Sequence, residues 1–173
     1  MSAAVLKDAH PAPTSNELRE LRAEIEDFHS DYADTLDTGK LEEWPNFFTE
    51  DAFYRIRSRE NAEADMPVGL VYCEGRAMII DRMFALIRTA MFEPHYYRHL
   101  VTNTRIVSIA GNGIIAARAN YVLLETILDQ DTRILQSGQY VDEFRREDGR
   151  LKLRSRDCIY DSLIVQTALV YPV

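Results

Sequence analysis

His95 and His99 lie four residues apart, and this is the spacing in the sequence that most directly suggests chemistry. On a helix, it would present both imidazoles to one metal ion. Pro94 stops any helix arriving from the N-terminal side, however, and residues 99–107 have the β-branched texture of a strand. Residues four apart on a strand are separated by about 13 Å, whereas each ligand of a zinc ion lies about 2 Å from it. We therefore predict no shared metal site here, only two polar side chains that hydrogen-bond neighbours or meet a partner.

The other metal-ligating residues are scattered along the chain. Cys73 and Cys158 form no Cys-x-x-Cys or Cys/His group, so we expect reduced thiols and neither a disulfide nor a zinc site. His10 lies in a segment without periodicity, and His29 lies at the edge of an apolar stripe, where a hydrogen-bonded core histidine is the simpler interpretation. The sequence has no GxSxG, GxGxxG, HExxH or P-loop motif. These observations predict no catalytic, cofactor-binding or metal-binding residue in this chain.

One group of side chains could still carry acid–base chemistry if the fold encloses it. Tyr32 would donate a hydrogen bond to a developing oxyanion, and His29 would move the proton, helped by His99 or Asn103. The competing prediction is that the apolar residues of the same helix fill the interior and leave no room for a substrate. An interior cavity with unpaired polar groups would favour the enzyme, or a small-molecule binding domain, over the packed alternative.

Composition limits the partners that the chain can have. Its 173 residues are 46% hydrophobic and 28% charged, which is typical of one globular domain. The formal net charge of −8 argues against nucleic acid and anionic membranes, which require clustered Lys and Arg. No run of 18 apolar residues and no signal-peptide pattern occurs, so we expect a cytoplasmic protein.

The N-terminal half is predicted to be mainly helical. We expect a disordered arm over residues 1–14 and a single α+β domain over residues 15–173. Thr14 and Glu17 have the spacing of a capping box, and the helix they begin is predicted to end at Gly39. Its apolar stripe recurs at spacings of three and four: Leu18, Leu21, Ile25, Phe28, Tyr32 and Leu36. The pattern further predicts a short helix after residue 40, a strand over 52–58, a polar loop over 58–67, a short strand near 68–75 and a third helix over 76–92.

The C-terminal half is predicted to be a meander of four long strands, roughly 96–109, 113–127, 132–145 and 150–165. The turns between them contain Asn-Gly or Asp-Gly or are rich in Asp. Gly138, in the middle of a strand, predicts a bend or a bulge. The charged residues of the last hairpin, including Arg154 and Arg156, are interpreted as a solvated surface or as ion pairs to another subunit. The architecture is α+β: three N-terminal helices against a curved, largely antiparallel sheet.

This order of elements resembles the cystatin-like cone of ketosteroid isomerase, scytalone dehydratase and the nuclear transport factors. Three segments carry a narrower resemblance to the small (β) subunits of Rieske-type aromatic-ring-hydroxylating dioxygenases. They are LDTGKLEEWPNFFTEDAFYRI (36–56), YRHLVTNTRI (97–106) and GQYVDEFRREDGRLKLRSRDCIYDSLIV (138–165). Their order and spacing together span residues 16–173.

The resemblance implies a subunit without iron, assembled as α3β3 with β–β contacts. A large α subunit would carry the Rieske [2Fe-2S] cluster and a mononuclear iron site. The ending ALVYPV looks closer to subunits of enzymes for small aromatic acids such as salicylate, anthranilate or benzoate. The alternative is a stand-alone isomerase or dehydratase of the same cone fold that uses Tyr32 and His29.

Overall fold

The computed structural model describes residues 13–89, 94–162 and 171–173. The arm predicted for residues 1–14 lies almost wholly outside this part and stays a prediction. No helix within the described ranges is long and apolar enough to span a membrane. The elements are, in chain order, α1 (Ser15–Asp37), a 3₁₀ helix (Leu41–Phe47), β1 (Phe48–Ser58), α2 (Arg59–Glu63), β2 (Val71–Glu74), α3 (Arg76–Arg88), β3 (His95–Ile109), β4 (Ile115–Ile127), β5 (Arg133–Glu147) and β6 (Arg150–Tyr160).

Helix α1 begins and ends as predicted. The Thr14 hydroxyl accepts from the Glu17 backbone N–H at 3.3 Å, and the Glu17 carboxylate accepts from the Thr14 backbone N–H at 2.7 Å. At the other end, Gly39 has a φ of +73°, which glycine adopts with little strain. The inner face of the helix buries Ile25 and Leu36 completely, while the stripe residues nearer the N-terminus are only partly buried.

The shorter helices differ from the prediction in detail. The segment with Pro45 is a 3₁₀ helix, in which Pro45, having no N–H, cannot donate one of the i→i−3 hydrogen bonds. The predicted polar loop contains α2, capped by the Ser58 hydroxyl, which accepts from the Asn61 backbone N–H at 3.2 Å. Helix α3 ends at Arg88, with Thr89 as its C-cap residue. The rest of the predicted helix, residues 90–92, lies outside the described residues.

The six strands form one sheet in the order β2-β1-β6-β5-β4-β3. The meander from β3 to β6 is antiparallel throughout, as predicted, and the pairing of β1 with β6 is parallel. This pairing places β6 inside the sheet, between β1 and β5. The prediction that the charged stretch of β6 lies on an exposed surface is therefore wrong for its second half, where Arg156 and Cys158 are completely buried.

Gly138 is required for close packing within the sheet. A Cβ atom at this position would lie 2.1 Å from the Ile159 carbonyl oxygen and 2.8 Å from the Tyr160 Cα, both backbone atoms of β6. The predicted bulge is not at Gly138, because its pairs with Tyr121 and Tyr160 lie in regular register. The register of β5 shifts at two other places. Its pairing with β4 shifts between Leu123 and Leu124, and its pairing with β6 shifts between Glu143 and Phe144.

Candidate functional site

Tyr32 lies in the interior, between α1 and the sheet, and is 1% exposed. Its hydroxyl accepts a hydrogen bond from Trp44 Nε1 at 2.9 Å and donates to the carbonyl oxygen of Val173 at 3.2 Å. Burial raises the pKa of Tyr32 far above its usual range, so the hydroxyl is a neutral donor at physiological pH. The acid–base hypothesis requires the Tyr32 hydroxyl to donate a hydrogen bond to a substrate. In the structure it already donates to Val173 of the same chain.

His29 lies one turn earlier on the same face of α1, in contact with a buried ion pair. Arg156 donates two hydrogen bonds to Asp142, at 2.9 and 2.8 Å, and a third to His29 Nδ1 at 3.0 Å. The side chains of Arg156 and Asp142 are both 0% exposed. Burial, together with the charge of Arg156, holds the pKa of His29 well below its usual value. His29 is therefore a neutral acceptor for the guanidinium.

Two tyrosine rings complete the surroundings of Arg156. Its guanidinium carbon lies 4.3 Å from the ring centroid of Tyr32 and 4.1 Å from that of Tyr140. Tyr140 in turn stacks on Tyr121 at a centroid distance of 4.5 Å. Burial disfavours the guanidinium charge, but the carboxylate of Asp142 outweighs it, so the pKa of Arg156 lies well above its usual value. The ion pair, the cation–π contacts and the histidine together fix α1 to β5 and β6.

His99 is on the inner face of β3 and pairs with the last residue of α1. Its Nδ1 lies 2.7 Å from Asp37 Oδ1, and its backbone N–H donates to the same carboxylate at 3.1 and 3.2 Å. Asp37 orients the imidazole in the way that a carboxylate orients a general base. The His99 side chain is 0% exposed, however, so the geometry offers no open path from solvent to Nε2.

An open cleft of about 730 Å³ lies between α1 and β3. His29, Asp37, His99 and Asn103 all contribute to its lining. Asn103 has a φ of +57° at the point where the register between β3 and β4 shifts, so it marks a bulge in β3. The structure thus brings three of the four predicted acid–base residues to one cleft and places Tyr32 elsewhere, in the packed interior.

The interior is packed but not fully satisfied. Among the described residues, the polar atoms of this region that are buried without a hydrogen-bond partner are His29 Nε2, His99 Nε2, Tyr140 Oη and Arg156 Nη1. Each belongs to a side chain that is otherwise fixed by an ion pair, a hydrogen bond or a ring stack. The arrangement holds elements together, and it presents no pair of an exposed acid and an exposed base.

Metal-ligating side chains are not clustered in the described part of the chain. Within residues 13–89, 94–162 and 171–173, no three His, Cys, Asp or Glu side chains could hold one ion. Cys73 and Cys158 are both buried and free. His95 contacts the rings of Tyr97 and Tyr171, at centroid distances of 4.4 and 5.3 Å. That this chain binds no metal and no cofactor stays a prediction, tested below.

Comparison with known proteins decides the family. The model of the SnoaL-like domain matches residues 17–157. The chain is 37% identical over 142 residues to the anthranilate 1,2-dioxygenase small subunit of Burkholderia cepacia, covering 82% of this chain and 88% of that one. The chain belongs to the small subunits of aromatic-ring-hydroxylating dioxygenases. This small subunit is also 32% identical over 151 residues to subunit beta 1 of the terminal oxygenase component of terephthalate 1,2-dioxygenase from Comamonas sp, covering 87% and 97% of the two chains.

A solved structure supports both the family and the fold. It is described as the β subunit of an aromatic-ring-hydroxylating dioxygenase from Novosphingobium aromaticivorans. It matches the small subunit with a TM-score of 0.81 and 36% identity, covering 90% of this chain and 98% of that one. The α+β cone predicted from the sequence, with helices against a curved and mostly antiparallel sheet, is confirmed, and so is the predicted family.

Sequence reasoning missed three residues that organise the site, namely Asp37, Asp142 and Arg156. Asp142 alternates with Tyr140 and Phe144 along β5, so its inward direction could have been read from the strand pattern. Asp37 gave no comparable signal, because its partner His99 is 62 residues away. Arg156 was hidden by the shift in register discussed below.

Proposed function

We propose that this chain is the non-catalytic, structural small subunit of a dioxygenase that hydroxylates a small aromatic acid. The observation that carries the proposal is the Tyr32 hydroxyl, which donates to Val173 inside the packed cone and has no access to a substrate. The relatives named above are subunits of dioxygenases for anthranilate and terephthalate, both aromatic acids.

The partner we propose is a large oxygenase α subunit. The resemblance implies that this partner carries a Rieske [2Fe-2S] cluster and a mononuclear iron site, and that the two subunits assemble as α3β3 with β–β contacts. The described part of this chain offers no three-ligand cluster for either iron centre, which supports assigning the redox chemistry to the partner. A cytoplasmic location follows from this partnership as a further prediction.

The outer face of β3, β4 and β5 is the surface we propose for the large subunit. Ile134, Tyr96 and Leu100 are 66%, 64% and 53% exposed there. In the register of the sheet, Arg98 lies beside Leu124, which lies beside Ile134, so the exposed side chains form one patch across three strands. A contiguous apolar patch with charged neighbours is typical of a protein interface.

Co-expression with the large subunit tests the proposal. Native mass spectrometry and iron analysis should give a mixed complex that contains iron, and an iron-free product when the small subunit is purified alone. One tightly bound ion per small subunit, lost when His95 and His99 are substituted, would overturn the proposed division of labour.

A variant pair tests the interface. Ile134→Glu and Arg98→Glu should reduce recovery of the large subunit, because each places a negative charge in the proposed contact. Val107→Glu is the matched control, since Val107 is 53% exposed on the same sheet but lies outside the patch. If the large subunit is recovered normally and only association between small subunits is lost, the patch joins copies of this chain instead.

A further inference from the structure

The last residue of the sequence, Val173, is buried in the interior like a bound ligand. It is 0% exposed, and the preceding Pro172 is also buried. Tyr171, at the start of this short segment, packs edge-on against the rings of His95 and Tyr97, with centroids 5.3 and 5.2 Å away. Residues 171–173 thus run from the beginning of β3 into the middle of the cone.

Three donors from different elements converge on one oxygen atom. The Val173 carbonyl oxygen accepts from Tyr54 Oη at 3.1 Å, from Tyr32 Oη at 3.2 Å and from Cys158 Sγ at 3.5 Å. The Val173 backbone N–H donates to Tyr54 Oη at 2.9 Å. The backbone N–H and this oxygen of Val173 are therefore bound by side chains of α1, β1 and β6.

The three donors are neutral and already positioned. Burial raises the pKa of Tyr32, of Tyr54 and of the Cys158 thiol, so each keeps its proton at physiological pH. Trp44 donates to Tyr32 Oη and packs edge-on against the Tyr54 ring at 5.3 Å, which limits how far either hydroxyl can turn. A set of convergent, pre-oriented donors in an apolar surrounding is the usual construction of a small-molecule site.

We propose that Tyr32, Tyr54 and Cys158 form a carbonyl-binding pocket that residues 171–173 occupy as an internal ligand. The chemical class that fits the pocket is a short peptide or N-acyl amino acid, with a carbonyl or carboxylate oxygen, an adjacent N–H and a small branched apolar side chain. The oxygen meets three donors, the N–H meets Tyr54 Oη, and the apolar group takes the volume of the valine side chain. The proposal concerns this chain alone and does not rest on assembly with a large subunit.

The test restores the segment in trans. A chain shortened to end at residue 170 is titrated with acetyl-Tyr-Pro-Val while the fluorescence of Trp44, the one tryptophan of the sequence, and the thermal midpoint are followed. We expect saturable binding that raises the midpoint and returns the Trp44 emission to that of the full chain. Acetyl-Tyr-Pro-Asp, which would bury a carboxylate in place of the valine side chain, should bind at least tenfold more weakly. A folded shortened chain that binds neither peptide, or both equally, overturns the proposal.

A variant that keeps residues 171–173 covers the case in which the shortened chain does not fold. Tyr54→Phe removes both the donor to the Val173 oxygen and the acceptor for its N–H while keeping the ring. We expect Trp44 in this variant to become more accessible to acrylamide quenching, because the segment is no longer held. Tyr121→Phe, which removes a buried tyrosine hydroxyl that donates to Gln136, is the matched control for general loosening. Quenching of the Tyr54→Phe chain that matches the parent overturns the proposal.

Discussion

The pocket around Val173 and the cleft between α1 and β3 contain similar side chains but use them differently. In the pocket, Tyr32 and Tyr54 are 1% and 0% exposed, and their hydroxyls are bonded to a residue of the same chain. The cleft has a volume of about 730 Å³, yet the imidazole of His99 beside it is held by Asp37 under the surface. The pocket has oriented donors but no free space, whereas the cleft has free space but its histidine side chains are buried.

This difference shows how a cone fold that forms active sites in other proteins can instead act as a structural subunit. General acid–base catalysis requires the proton-transfer group to reach the substrate within hydrogen-bond distance. Here the groups able to move a proton are used to join elements: His29 to Arg156, His99 to Asp37 and Tyr32 to Val173. Each of these contacts can be removed separately by a substitution, and the expected losses of stability or activity differ.

The largest effect is expected in the interior, from Asp142→Ala. The substitution leaves the fully buried Arg156 without its carboxylate, and breaking a buried ion pair in this way costs about 3–5 kcal/mol. The free energy of unfolding from urea titration measures it. The double variant Asp142→Leu/Arg156→Met removes both charges and should recover most of the loss. If Asp142→Ala loses less than about 1 kcal/mol of unfolding free energy, the pair of Asp142 and Arg156 contributes no more than an exposed ion pair does.

A smaller effect is expected at the edge of the cleft, from Asp37→Asn. Asn keeps the shape and one acceptor but loses the charge that receives both the backbone N–H and the Nδ1–H of His99. Hydrogen bonds to a charged group are worth about 1.5–3 kcal/mol, so we expect a loss near the lower value. Asp34→Asn, an exposed residue that also lines the cleft, is the matched control in the same urea titration. Equal losses of unfolding free energy in the two variants would show that the contact between Asp37 and His99 adds no stability of its own.

The pH dependence of stability tests the contribution of His29 to the stability of the interior. Its folded-state pKa lies well below the unfolded value near 6.5, so between the two values the unfolded chain binds more protons. Stability should therefore fall as the pH drops below about 6.5, with a slope of at most about 1.4 kcal/mol per pH unit from this group. His29→Asn keeps an acceptor for Arg156 and should flatten the slope in urea titrations between pH 5 and 7. An unchanged slope would mean that other groups cause the acid sensitivity.

The order of elements and the antiparallel meander could be predicted because turn residues, caps and alternation are local signals. The family was predicted from the resemblance of residues 36–56, 97–106 and 138–165. The buried Arg156 could not be predicted in this way. Leu151 and Leu153 point inward on β6, and strict alternation would put Arg156 on the opposite face, but the register shift beside Phe144 inserts one residue and turns it inward. Val173 was hidden for a different reason, since its partners are 119 and 141 residues away along the chain.

We predict that this chain supports catalysis without taking part in it, and turnover by the reconstituted dioxygenase is the measurement that distinguishes the two roles. Tyr32→Phe removes the hydroxyl that an acid–base mechanism would need and keeps the ring that packs on Arg156. We predict that the variant assembles with the large subunit, with its full iron content, and turns over within a few-fold of the parent. Losing a proton-transfer group from an acid–base enzyme costs about 10²- to 10⁴-fold in rate. A loss of that size in an intact, fully metallated Tyr32→Phe complex would show that the small subunit takes part in the chemistry.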